Sequence, residues 1–220
     1  MLQVQGALDP SQLERARAVL ATAPFVDGKV TAGATARKVK SNQQAQSADE
    51  RVQALAGSIR EILEANSLFR SYVRPAKLSG LLFSRYGPGH EYGMHVDDPV
   101  MRAGDGSRFR TDLSFTLFLA DPESYEGGEL LVENRAGARQ VKLRAGGLVV
   151  YPSGALHRVN PVTRGERLAC VGWVQSLIRR EDQRETLFDL GRARASLPEG
   201  DVRLLVDKVA SNLMRMWADV

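Results

Sequence analysis

The chain has 220 residues, of which 43% are hydrophobic and 25% charged, with 30 Lys+Arg against 26 Asp+Glu. That is enough for one good core with appended elements, or at most two small domains, and it describes a globular chain. The arginines are dispersed among acids and are not interleaved with aromatics on one face, so the mild positive balance argues against a nucleic-acid partner and for attraction of an anionic substrate. The single cysteine, Cys170, can form no intrachain disulfide and sits in the apolar run LACVGWV, which makes it a buried structural thiol. The start, MLQVQGALDP, lacks the charged and apolar regions of a signal peptide, and no apolar run approaches 18 residues; the expectation is a cytoplasmic protein with no membrane partner.

Residues 1–76 read as a mainly helical segment packing on the core. Asp9, Pro10 and Ser11 precede a pattern with Leu13, Ala16, Val19 and Leu20 on one side, predicting a helix over 10–22. Gly28 and Gly33 bracket a short possible strand, and 38–46, KVKSNQQAQ, has no apolar period and reads as a loop. Ser47 or Asp49 then caps a helix to about Glu64, with Val52, Leu55, Ile59 and Ile62 or Leu63 inward.

From Lys77 to residue 177 the texture changes to short apolar runs divided by Gly, Pro and Asp. Strands are expected at 78–86, around 94–97, and at 110–120, 128–134, 138–143, 147–152, 157–162 and 166–177. Eight short strands without intervening helices predict a closed or double-sheet architecture, mainly β with flanking helices. The tail, 178–220, is helical, with Leu187, Phe188, Leu190 and Ala193 on one element. After Pro198 to Gly200 a second element carries Val202, Leu205, Val206, Val209, Leu213 and Met216. This C-terminal pair is expected to cover a sheet face; a homo-oligomer contact is the alternative.

The stretch 81–99, LLFSRYGPGHEYGMHVDDP, contains His95 and Asp97, one residue apart, which on a strand point to one side. With His157, from YPSGALHRVNPV, they make two imidazoles and one carboxylate, the facial triad suited to non-haem Fe(II). His90 has the wrong parity for that site and reads as a loop residue. Arg167 follows His157 by ten positions across the turn 163–166, so a hairpin should return it to the same sheet near the metal end. Its face-mates Ala169, Val171 and Trp173 are apolar, so Arg167 is an inward charge needing an anion, either a ligand carboxylate or Glu166. Arg158 and Arg164 read as solvated.

The set Tyr86, Tyr92-Gly93-Met94-His95-Val96-Asp97, Glu126-Gly127-Gly128-Glu129, Tyr151-Pro152, His157 and Arg167 resembles the prolyl-hydroxylase-like group of Fe(II)/2-oxoglutarate-dependent dioxygenases. Over nearly all of its length, including 39–44 and the helical tail, the chain looks like the bacterial PKHD-type, PiuC-like hydroxylases associated with iron uptake. The resemblance implies a double-stranded β-helix (jelly-roll) core with N-terminal and C-terminal helices packed outside. It implies Fe(II) on His95, Asp97 and His157, the distal carboxylate of the cosubstrate 2-oxoglutarate on Arg167, and Tyr86 against that cosubstrate. L-ascorbate is a further candidate cofactor. The implied activity is a dioxygenase that hydroxylates a small-molecule or peptidyl substrate while 2-oxoglutarate is oxidised to succinate and carbon dioxide. Asp97 stands where related halogenases have a small residue, which favours hydroxylation, and Phe118 stands near where the group can place a second tyrosine. The glycine-containing loop 99–110 reads as a lid, with 38–46 as a second wall. Two readings compete: a non-catalytic jelly-roll binding module, which would not need Arg167, and a zinc hydrolase, which would need a general base from the Glu126 to Glu129 turn.

Overall fold

The computed structural model describes residues 1–103, 106–134 and 137–220. The N-terminal part runs β1 (Leu2–Val4), α1 (Pro10–Thr22), β2 (Phe25–Asp27), β3 (Lys40–Ser41), β4 (Gln43–Ala45), α2 (Glu50–Ala65) and α3 (Ser67–Val73). The strands β5 (Pro75–Leu78), β6 (Leu82–Tyr86), β7 (Glu91–His95), β8 (Val100–Arg102), β9 (Arg108–Arg110) and β10 (Leu113–Phe118) follow. Next come β11 (Tyr125–Gly127), β12 (Leu130–Asn134), β13 (Gly137–Val141), β14 (Leu148–Pro152), β15 (His157–Val159), β16 (Val162–Gly165) and β17 (Arg167–Ser176), and the chain closes with α4 (Glu181–Ala195) and α5 (Asp201–Trp217).

Two antiparallel sheets make the jelly roll. The larger has the order β1-β14-β10-β17-β6-β4-β2 with β5 also on β17, and the smaller β13-β12-β15-β7-β3. β10 shows how they stack. Phe115 and Leu117 share a core with Ala16, Leu20, Ile59 and Phe69 of the helices, whereas Phe118 joins Leu130, Val132 and Val159 of the smaller sheet. Covered on both faces, LSFTLF is buried at every position, which is why it reads as an unbroken apolar run. Phe115 meets Phe69 edge-on at 5.8 Å and 86°. Phe115→Ala is expected to destabilise by about 3–5 kcal/mol, measured as a shift of the urea midpoint; a loss below 1 kcal/mol would mean the helices do not depend on this contact.

The two long helices start where their caps stand: Asp9 and Gln12 form a capping box, and Asp49 accepts from the amides of Arg51 and Val52. Other details depart from the sequence expectation. The segment 38–46 is not a loop but holds β3 and β4, and the strand near Gly28 is β2, just before a 3-10 turn over Gly28–Thr31. The run 78–86 is divided between β5 and β6, and 157–162 breaks at Pro161 into β15 and β16. β7 ends at His95, so Asp97 lies beyond the strand. The C-terminal helices pack on other helices: α4 lies against α3, with Phe188 edge-on to Tyr72 at 5.2 Å, and α5 lies against α4. Val202, Leu205, Val209 and Met216 of α5 remain exposed. Cys170 is fully buried and its thiol pKa is pushed up by burial, as a structural cysteine requires. Among the described residues no helix is long and apolar enough to cross a membrane.

Candidate active site

The antiparallel β7–β15 pair sets His95 directly opposite His157. Their rings lie 4.2 Å apart, and one donor atom each from His95, Asp97 and His157 fall within 4.8 Å of one another. The nearest carboxylate oxygens of Asp97 are 3.9 Å from His95 Nε2 and 3.7 Å from His157 Nε2. The first of these is not an ion pair. Burial and the neighbouring His157 lower the pKa of His95 to about 4, so its imidazole is neutral near pH 7.

Surrounding groups fix the orientation of all three. His95 Nδ1 donates to the Gly93 carbonyl at 2.8 Å and His157 Nδ1 to the Ala155 carbonyl at 2.9 Å. A carbonyl can only accept, so the proton sits on Nδ1 and each Nε2 presents a lone pair to the common point. Asp97 Oδ2 accepts from Ser114 Oγ at 2.5 Å, and Ser114 is 2.8 Å from Ser153 Oγ. The serine does what strand geometry was expected to do: it reaches from β10 of the larger sheet and holds a carboxylate that has left its strand. Two imidazoles and one carboxylate on one side of a point fit a metal such as Fe(II) and leave coordination positions open. Tyr92 stacks on His95 at 3.6 Å, and Tyr151 is edge-on to His157 at 5.0 Å.

Arg167 is not on the sheet that carries the histidines. It opens β17 in the larger sheet, opposite Tyr86 of β6, because the hairpin after His157 crosses over instead of folding back. It still faces the same cavity, of about 290 Å³, lined also by His95, Asp97, His157 and Tyr86. The side chain is 1% exposed, and none of its three guanidinium nitrogens has a hydrogen-bond partner among the described residues. Glu166 turns away, 3.8 Å from Arg85. The Arg164–Glu126 pair, at 2.8 Å, lies in solvent, and Arg158 is exposed. Around the guanidinium stand aromatic faces, Tyr86 at 5.1 Å and Phe118 at 5.5 Å from Cζ, and the hydroxyl of Tyr125 is close enough that Arg167 opposes the rise in its pKa that burial causes. Burial raises the pKa of Tyr86, with Arg167 opposing the rise.

The glycine pair beside Arg167 has a steric reason. Gly128, at φ +66°, would place a Cβ 3.1 Å from Arg167 Cδ, and Gly127, at φ +71°, would drive one to 2.0 Å from the Pro161 carbonyl. The flanking glutamates are engaged elsewhere, Glu126 with Arg164 and Glu129 with Asn160 at 3.1 Å. Neither lines the cavity, so the zinc hydrolase reading lacks its general base.

Residues 81–175 match the family model described as the 2OG-Fe(II) oxygenase superfamily. A solved prolyl-4-hydroxylase of Pseudomonas putida shares the fold, with TM-score 0.53 and 23% identity over 80% of this chain and 91% of that one. The jelly roll, the two-histidine, one-carboxylate cluster and these matches define an oxygenase of the 2-oxoglutarate, Fe(II) class, an enzyme. Within that class the chain belongs to the PKHD-type hydroxylases. It is 48% identical to the PKHD-type hydroxylase of Gloeothece citriformis over 98% of both chains, and 48% identical to that of Thioalkalivibrio sulfidiphilus over the full length of both.

Proposed function

We propose that this protein hydroxylates a C–H bond of a substrate seated in the cavity between the sheets, with Fe(II) on His95, Asp97 and His157. Arg167 holds the distal carboxylate of 2-oxoglutarate, and Tyr86 lines the same end. One observation carries the reading: a buried guanidinium with every nitrogen unpartnered faces the cavity that holds the metal cluster. A charge in that state calls for an anion, and guanidinium matches a carboxylate bidentately. A non-catalytic binding module has no use for it. When bound, the metal and cosubstrate supply the oxidising chemistry that splits dioxygen and releases succinate and carbon dioxide. The chain supplies placement. Ser114 keeps Asp97 aimed, the Gly93 and Ala155 carbonyls keep the imidazoles in the ligating tautomer, and the aromatic walls exclude water.

The test is an anaerobic titration with Fe(II) and 2-oxoglutarate, followed by succinate release against siderophores, proline-containing peptides and cell extracts, with and without L-ascorbate. Saturable 2-oxoglutarate binding that requires metal is expected, and a metal-loaded protein indifferent to 2-oxoglutarate would end the proposal. The link of the PiuC-like proteins to iron uptake makes siderophores the first substrates to try. The prolyl-4-hydroxylase fold match keeps a peptidyl substrate as the second reading. The cytoplasm, with its supply of 2-oxoglutarate and ferrous iron, is the compartment this chemistry suits.

Two walls cover the cavity. β8 and β9 pair into a hairpin that contributes Met101, Arg102 and Phe109, and the segment holding β3 and β4 contributes Lys40 and Gln44. The lid expectation over 99–110 includes residues 104 and 105, which lie outside the described residues. We expect closure to protect this hairpin from proteolysis once metal, cosubstrate and substrate are bound; unchanged cleavage there would make it a fixed wall.

A further inference from the structure

Lys40 is a buried cation to which the proposed function gives no role. It lies on β3, paired with Tyr92 of β7, is 5% exposed, and lines the same cavity as the histidines. Its ammonium donates to Thr31 Oγ1 at 3.1 Å, leaving two of three donors without a protein acceptor in the described structure. Thr31 donates onward to Gln44 Oε1 at 2.5 Å, and Gln44 Nε2 donates to Ser84 Oγ at 3.3 Å, so a polar chain fixes the lysine from behind. Lys40 Nζ also sits 5.1 Å from the centre of the Tyr92 ring that stacks on His95. No carboxylate of the described residues forms an ion pair with it; Asp97 and Asp27 act only from a distance. Burial lowers its pKa to about 8, a cost of keeping the ammonium charged that a neighbouring anion would offset.

Among the described residues five charged side chains line the cavity: Lys40, Asp97, Asp98, Arg102 and Arg167. With Asp97 on the metal and Arg167 on the cosubstrate, three remain. Asp98 and Arg102 are exposed and solvated, so Lys40 alone among the three is desolvated and short of a counter-charge. We propose that Lys40 sets substrate specificity by pairing with an anionic group of the carboxylate class on the molecule to be hydroxylated. This rests on the oxygenase reading above, since without 2-oxoglutarate on Arg167 the cavity would offer an anion two buried cations.

The experiment is proton NMR of ligands with the protein loaded with Mn(II) and saturating 2-oxoglutarate, probed with hexanoate and hexanamide. Paramagnetic broadening of the 2-oxoglutarate resonances reports the oxygenase site; broadening of the probe reports the second anion position. Hexanoate should broaden several-fold more than hexanamide in the wild type, and Lys40→Arg should keep most of that preference. Lys40→Gln should bring the ratio close to one, whereas Arg102→Gln should not. Should Lys40→Gln lose the 2-oxoglutarate signal, Lys40→Met replaces it as the uncharged variant. If 2-oxoglutarate itself is not broadened in the wild type, the oxygenase reading fails and this inference with it. With 2-oxoglutarate broadened, the inference alone is overturned by any of three results: no preference for hexanoate, a preference that survives removal of the Lys40 charge, or hexanoate displacing 2-oxoglutarate.

Discussion

Arg167→Met is expected to abolish useful 2-oxoglutarate binding while making the ligand-free protein more stable. The guanidinium is buried with no carboxylate partner among the described residues, so without ligand it carries a desolvation cost that a thioether of similar length does not. Replacing buried charge by apolar side chains has stabilised proteins by about 1–4 kcal/mol, and an unpaired charge belongs at the favourable end. Removing one side of a buried charged contact costs about 2–5 kcal/mol of binding, which weakens Kd roughly 30-fold to several thousand-fold. A wild type held at 100 times its Kd gains about 2.7 kcal/mol from ligand, and at about 2–4 °C per kcal/mol for a chain of this size that is a rise in Tm of about 5–11 °C. The variant should show a higher Tm without 2-oxoglutarate and, at the same ligand concentration, a rise of at most about 3 °C with it. Calorimetry decides both halves. An undiminished affinity would move the carboxylate elsewhere, and a destabilised apo variant would mean that the guanidinium is already satisfied.

The second large effect is at Asp97. Asp97→Ala removes the carboxylate of the three proposed metal ligands, and an ion held by two imidazoles alone should not survive competition with water. Ser114→Ala removes the hydroxyl that aims this carboxylate at 2.5 Å, and outer partners of this kind are worth roughly 10–100-fold in metal affinity. Anaerobic Fe(II) or Mn(II) titration should therefore give a ladder, with Ser114→Ala inside that range and Asp97→Ala beyond it. Metal binding of wild-type strength in Asp97→Ala would break the assignment. Burial keeps His95 neutral down to about pH 4, so its protonation takes no part in metal affinity between pH 8 and 6; a titration over that range shows whether other groups impose a slope.

By itself, the sequence determined the pieces whose signal is local. Caps at Asp9 and Asp49 and a regular apolar face located α1 and α2. Short apolar runs between turn residues located most of the central strands, although 78–86 and 157–162 each divide in two and the short β8, β9 and β11 carry no such run, and the residue types at 95, 97, 157 and 167 named the chemistry. What tertiary structure decided is what depends on which face meets which sheet. Lys40 on β3 and Gln44 on β4 both face the cavity, but they are polar, so apolar periodicity gives no sign of strands that face a cavity instead of a core. Arg167 was expected on the histidines' sheet and stands on the opposite one, because a turn sequence sets the direction of return and not the sheet that receives the strand. Asp97 reaches the site through Ser114, a serine that looks like any other in an apolar strand until the two sheets are stacked. Chain-local forces chose the elements and the side chains. The packing of one sheet on the other brought the imidazoles, the carboxylate and the unpaired guanidinium around one cavity, since only there do residues far apart in the chain leave water together.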